Sequence, residues 1–482
     1  MNLAVSATEY ISSVKNGDTT VEEFTAKTLE QISKHDSRLH AYLSVDDTSL
    51  DRARQIDKKI KAKEKVGAFY GMPISIKDNI CIKDRKTTCA SKMLQDFVAP
   101  YDATVVSKLK SQDAIFIGKT NLDEFAMGAT TEFSAFGPSR NPWNPDYVPG
   151  GSSGGSAVSV SALECVASLG SDTGGSVRNP ASFCSIVGLK PTYGLVSRYG
   201  LVSYSNSIEQ IGPMGRRVED VALVLNHIAG MDSNDNTTID NKNQDYLSGI
   251  DAGIKGKKIG IISEMSKGQG LDKNVENAFW KAVSSFESLG AKIEEMSLDL
   301  VKFTVATYYV LTTAEAGSNL SRYDNLRYGY ELDLEGYEFK SYISKARRNF
   351  GPEVTRRMIL GGFVPSAGFA GKYLLKALKV KSKLKKEISS AFKKFDFLIS
   401  PTVPILPFKL GEKINDPLAM YLADINTITA NLTGIPAISV PFEIHNGLPI
   451  GIQIHADMLQ DARLLQAAYA LQSMTKLRGA PL

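Results

Sequence analysis

Between Pro138 and Gly215 the chain is dense in Gly, Ser, Pro and Asn, yet a run of small apolar residues, AVSVSALECVASLG (157–170), is set inside it. Gly/Ser-rich composition alone describes a flexible linker. Small residues at this density instead suit a helix packed tightly in a core, so the run predicts a buried helix between loops that approach one another closely. The flanking sequence has the matching grammar. Short apolar runs, MPISIKD (72–78) and AIFIGKT (114–120), are separated by the helical pattern TVVSKLKSQ (104–112). KKIGIISE (257–264), a helix over about 274–289 and AKIEEMSL (291–298) repeat it. Strands joined by helical crossovers form a parallel or mixed sheet covered by helices on both faces, an α/β fold.

Residues 3–62 read as helical, with Val5, Tyr10, Ile11 and Val14 at helical spacing. A cap at Thr19–Thr20, followed by Glu22 and Glu23, opens a second helix from about Val21 to Lys34. Residues 305–395 carry helical patterns and end in the basic run KALKVKSKLKKEISSAFKK, read as a solvated amphipathic helix or, second, a partner surface. Strand-like runs return in DFLISPTVP, AISVPFE and PIGIQIHA. A chain that leaves a sheet and comes back to it predicts one domain over 1–482, with an N-terminal helical segment (1–65), a catalytic core (66–240) and a helical insertion (305–395). No internal repeat is present.

Charge and cysteine content exclude several functions. Fifty-six Lys and Arg against 52 Asp and Glu leave a net charge of +4, too slight for the concentrated basic face of a nucleic-acid binder. Four cysteines, none in a C-x-x-C pair, make no disulfide framework. The five histidines are scattered and no H-E-x-x-H occurs, which argues against a zinc site. The first residues carry acids early and lack an apolar core, so no signal peptide is read. The weakly polar stretch 157–170 is too short to span a bilayer, and a cytoplasmic protein with no membrane contact is expected.

Three segments carry chemistry. In PISIKDN (73–79) Lys77 closes an apolar strand. Such a lysine is either an exposed strand-end charge or, if buried, a base whose pKa desolvation lowers. PGGSSGGS (149–156) lets backbone approach closely and sets hydroxyls at a turn, yet it is neither a P-loop nor a dinucleotide fingerprint, and alone it reads as a flexible loop. In SDTGGSVR (171–178) a serine follows two glycines, a setting in which amides can converge as an oxyanion hole requires. It is not the G-x-S-x-G elbow, and no Ser-His-Asp set is evident. A serine hydrolase without a histidine needs another base, and lysine is the known alternative. Each segment is weak by itself; the ordered trio is not.

Lys77, GGSSGGSA and DTGGSVR, in this order and spacing, resemble the amidase signature family, which uses a Ser–cis-Ser–Lys triad on a large mixed sheet. The segments 314–331, 347–368 and 431–441 are similar to its branch of glutamine-using tRNA-dependent amidotransferase subunits. The resemblance implies Ser176 as nucleophile, Ser152 (in a cis peptide) as proton relay and Lys77 as base and then acid. It implies an oxyanion hole at Thr173, Gly174 and Gly175, with the Ser176 amide beside them. For glutamine it implies Arg357 on the α-carboxylate, which Arg can grip bidentately, Asp424 on the α-ammonium and Tyr308 in the pocket wall. The neighbours Arg356 and Tyr309 leave a one-residue shift open. One departure stands out: Asn325 occupies a position where the family usually has Gly. If the backbone there has positive φ, Asn is the least costly replacement, and activity is expected to survive.

The resemblance implies a heterotrimer. One partner, the B subunit, holds the tRNA and activates its misacylated residue with ATP and magnesium; the other is a small C subunit. No cofactor or metal is expected in this chain. The slight net charge fits a chain that meets tRNA only through its partner. Two alternatives are a free-standing amidase for small aliphatic or aryl amides, and a non-catalytic scaffold; intact Lys77, Ser152 and Ser176 weigh against the second.

Overall fold

The computed structural model describes residues 2–240, 244–268, 270–330, 336 and 338–480. Eleven strands form one sheet: β1 (Tyr42–Val45), β2 (Pro73–Lys77), β3 (Ile115–Thr120), β4 (Ala167–Asp172), β5 (Val187–Lys190), β6 (Gln210–Gly215), β7 (Lys258–Ile262), β8 (Lys292–Met296), β9 (Phe397–Pro401), β10 (Ala437–His445) and β11 (Leu448–His455). Their order is β1-β3-β2-β4-β6-β5-β10-β11-β9-β7-β8. Parallel pairing joins β3, β2 and β4 on one side and β9, β7 and β8 on the other. The middle, from β4 through β6, β5, β10 and β11 to β9, is antiparallel. The sheet is therefore mixed. Every residue of β2, β3, β4, β6 and β11 is buried. Because side chains alternate across a strand, this means that both faces of the sheet are covered.

The apolar runs at 73–77, 115–120, 258–262 and 397–401 form strands as expected, and helices fill 304–320, 352–363 and 374–392. Two expectations need correction. The run 157–170 is not one helix: the helix Gly154–Ser161 ends before Leu163, which takes a left-handed φ of 62°, and the remainder enters the sheet as β4. Small residues suit both fates here, because a strand covered on both faces shows no alternation to betray it. The helical reading of 3–62 also misses β1, an edge strand set antiparallel to β3 between the helices Val21–Leu39 and Ser49–Lys61. The four cysteines are free and buried.

Candidate active site

Lys77 is the last residue of β2 and lies beside the end of β4, where Ser171 and Asp172 stand. The carboxyl ends of parallel strands are where open α/β sheets place ligands. Lys77 is fully buried. Its Nζ donates to Ser152 Oγ at 2.8 Å, Ser153 Oγ at 2.8 Å and Ser171 Oγ at 2.9 Å. Ser171 Oγ also accepts from Asn79 Nδ2 at 2.9 Å. Burial pulls the Lys77 ammonium down from 10.5 to about 7, against the nearby Asp123 and Asp172 carboxylates, which favour the charge. The choice left open for Lys77 resolves toward a buried, readily neutral amine. The Gly151–Ser152 peptide is cis.

Ser176 is buried except for 7% of its surface, and it meets the lysine cluster through backbone: the Ser153 amide donates to the Ser176 carbonyl at 3.1 Å. Among the described residues no hydrogen bond joins the Ser152 and Ser176 hydroxyls. The loop carrying Ser176 is braced from below by Asp172, which accepts from the Gly175 amide at 2.9 Å, the Val177 amide at 3.2 Å and both Nε and Nη2 of Arg178. Arg178 is itself fully buried and donates further to the Thr427 carbonyl, Gln453 Oε1 and Asn431 Oδ1. The guanidinium holds the Asp172 carboxyl down at about 2 although burial pushes the other way. The Gly175 amide is thus occupied by Asp172. The amides of Thr173, Gly174 and Ser176 have no acceptor among the described residues and remain available to an oxyanion. Gly175 has a φ of 142°, and a Cβ there would overlap the Thr427 hydroxyl.

The implied glutamine contacts converge on this loop. A Cβ on Gly174 would stand 2.7 Å from Cζ of Tyr308, so the ring lies directly against the loop backbone. Tyr309 adjoins Tyr308 at 5.0 Å, stacks on Tyr421 at 3.8 Å and lies 5.2 Å from the Arg357 guanidinium. Arg357 is buried, with Nε on Glu353 Oε1 at 2.7 Å and Nη1 on the Tyr204 hydroxyl at 2.5 Å, while Nη2 has no partner among the described residues. Arg356 pairs with the other Glu353 oxygen and is 40% exposed. Of the two arginines Arg357 is the buried one; of the tyrosines, Tyr308 faces the loop and Tyr309 faces the guanidinium. Asp424 is buried and accepts from Asn179 Nδ2 at 3.0 Å, and Asn179 donates its amide to the Gly175 carbonyl at 2.7 Å. Burial raises the Asp424 carboxyl to about 7. Among the described residues no group of three or more His, Cys, Asp or Glu is placed to hold a metal ion.

A family model described as amidase matches residues 23–465. The chain belongs to the amidase family. Its curated relatives include the A subunit of glutamyl-tRNA(Gln) amidotransferase from Cenarchaeum symbiosum, 59% identical over 99% of both chains. Among solved structures it is similar to the A subunit of glutamyl-tRNA(Gln) amidotransferase from Thermotoga maritima, with 40% identity, a TM-score of 0.84 and coverage of 100% of this chain and 99% of that one. It is also similar to a bacterial aryl acylamidase of the amidase signature family, at 25% identity and a TM-score of 0.85 over 98% of this chain and 96% of that one.

In this amidase scaffold, Lys77 and Ser152 touch, Ser176 stands at the neighbouring loop, and Tyr308, Arg357 and Asp424 gather within contact chains of that loop. Several residues escape a reading of the sequence alone. Ser171, Asp172 and Arg178 lie inside a motif that draws notice for its serine, and Glu353 stands four residues before Arg357, the spacing of a helical ion pair. Tyr204, Tyr421 and Asn431 have no local signal, since only tertiary packing brings them in. Asn325 does take a left-handed φ of 68° and bonds the Tyr342 hydroxyl at 3.0 Å.

Proposed function

We propose that this chain is the glutamine-hydrolysing subunit of a tRNA-dependent amidotransferase. It releases ammonia for conversion of Glu-tRNA(Gln) to Gln-tRNA(Gln), or of Asp-tRNA(Asn) to Asn-tRNA(Asn), on a partner subunit. The observation that carries this reading is the pairing of Arg357 and Asp424, buried and of opposite charge, around the tyrosines that abut the Ser176 loop. An α-amino acid offers a partner to each; a small aryl amide would offer none to Arg357 Nη2 or to the Asp424 oxygen that Asn179 leaves free.

Ser176 Oγ attacks the side-chain amide carbon of glutamine, and its proton passes through Ser152 to neutral Lys77. The amides of Thr173, Gly174 and Ser176 take the oxyanion. The C–N bond breaks as Lys77 returns the proton through Ser152 to nitrogen, giving ammonia and a glutamyl ester on Ser176. Water adds to the ester carbon while Lys77 takes its proton; the C–O bond breaks, the proton returns to Ser176 Oγ, and glutamate leaves. The 2.8 Å contact from Lys77 Nζ to Ser152 Oγ supports the inner half of that relay.

The chain works in a cytoplasmic heterotrimer with the B and C subunits of the amidotransferase. It meets tRNA through the B partner and needs no cofactor of its own, since ATP and magnesium act in that partner. No helix among the described residues is long and apolar enough to cross a membrane. The test is glutamate release by the co-expressed complex, wild type against Ser176→Ala. Release that vanishes in the variant and rises with charged tRNA and ATP is expected. Hydrolysis indifferent to the partners and directed to aryl amides would replace this reading with a free-standing amidase.

A further inference from the structure

The helices that carry the glutamine contacts have a second face. The helix Pro352–Phe363 turns Glu353 and Arg357 inward and Ile359, Leu360 and Phe363 to solvent, with Ile359 69% exposed. Phe363 carries the patch onward, its ring 4.2 Å from Phe369 and 6.1 Å from Tyr373. The helix Leu374–Phe392 adds Leu375 and Leu378, 52% and 45% exposed. Single exposed leucines are ordinary; a run of adjoining ones marks a contact surface.

The charge beside the patch decides what covers it. Lys372, Lys376 and Lys379 adjoin Leu375 and Leu378 in sequence, and from Lys372 to Lys394 the chain carries nine lysines and one acid. That acid, Glu387, is turned to the amides of Asp299 and Leu300 at 2.9 and 3.4 Å, and among the described residues none of the nine lysines is ion-paired. A phosphate backbone would satisfy the lysines and leave the leucines and aromatic rings in water. A protein face that is apolar at its centre and edged with carboxylates satisfies both.

We propose that the outer face of the helix Pro352–Phe363, with the start of the helix Leu374–Phe392, docks the partner that consumes the ammonia, through an apolar patch on that partner rimmed with Asp and Glu. The proposal rests on the amidotransferase reading above. Docking here reaches the site through closely packed backbone. The helix Thr304–Leu320, which carries Tyr308 and Tyr309, crosses the helix Pro352–Phe363 at Gly317 and Gly361. A Cβ on Gly361 would overlap the Thr313 carbonyl oxygen, and one on Gly317 would stand 3.0 Å from Gly361. Helices in such contact shift together, so a partner held on Ile359 and Phe363 fixes Arg357 against Tyr309 and lowers KM for glutamine.

The test titrates the full chain with the co-purified B and C subunits. It compares Leu375→Asp/Leu378→Asp and Lys376→Glu/Lys379→Glu with Met231→Asp, an exposed apolar residue outside the patch. The Kd is expected to rise about 100-fold in both patch variants and to stay within about threefold in Met231→Asp. Partner-free glutamine hydrolysis should be unchanged, and the patch variants should lose the partner-induced fall in KM. Patch variants that bind like wild type overturn the docking surface and leave the amidotransferase reading standing. Variants that keep partner binding but lose charged tRNA mark the face as RNA-facing and overturn the proposal too. A wild-type chain that binds no B subunit overturns the reading and the proposal together.

Discussion

The sheet side of the site and its helical side are built on different terms. On the sheet side, Asp172 and Arg178 are wholly buried and paired with each other, and Thr427, Asn431 and Gln453 from the distant end of the chain hold the guanidinium. On the helical side, Arg357 rests on Glu353 of its own helix, and the opposite face of that helix is open to solvent. Chemistry needs atoms fixed to a fraction of an ångström, which a strand end covered on both faces supplies. Recognition of a small amino acid tolerates elements that adjust, and peripheral helices are where adjustment and partner contact are compatible.

The sharpest way to break the comparison is at Lys77. Lys77→Ala should lower kcat by roughly 10²–10⁴-fold, the usual worth of a positioned general base, with KM for glutamine little changed in steady-state assays. In the wild type, kcat should climb as the pH rises through about 7, because the ammonium then gives up its proton and the neutral amine is the active form. A rate flat from pH 5 to 9 would remove Lys77 from that role.

Next in size is the brace. Asp172→Asn leaves Arg178 buried without its counter-charge and should cost about 3–5 kcal/mol in denaturant unfolding. The Asp172 carboxyl is depressed in the folded state. Its stabilising contribution is therefore present above the ordinary carboxylate range and lost as pH falls toward about 2. The helical side should respond differently: Arg357→Ala should raise KM for glutamine by about 10–100-fold, the worth of a charged hydrogen-bonded contact, and spare amides that lack an α-carboxylate. The smallest effect is expected at Asn325→Gly, within about 1 kcal/mol in thermal unfolding, since relief of a left-handed φ opposes the added freedom of the unfolded chain.

The same division explains what the sequence discloses. Lys77, Ser152 and Ser176 are legible only together: each segment alone has an ordinary reading, and the order and spacing of the three carry the resemblance. Strands such as Ile115–Thr120 are legible as apolar runs. β4 and β6 are not, because ASLGSD and QIGPMG hold too many small residues to show a period, and a strand covered on both faces has none to show. Tyr204 and Tyr421 lie 153 and 64 residues from Arg357, and no local rule spans such gaps. The helical side is readable by resemblance alone; the structure then places Arg357 inside and Arg356 at the surface.

The reach of Arg178 has a consequence for how the protein is made. Its guanidinium is held at Asp172, within the first half of the chain, and at Thr427, Asn431 and Gln453 near the end. In a nascent chain leaving the ribosome, the loop that carries Ser176 therefore has only its local contacts to Asp172 until β11 has emerged and paired with β9 and β10. A chain interrupted before residue 453 would keep the local contacts of Asp172 to the Gly175 and Val177 amides but lack the Arg178 contact to Gln453.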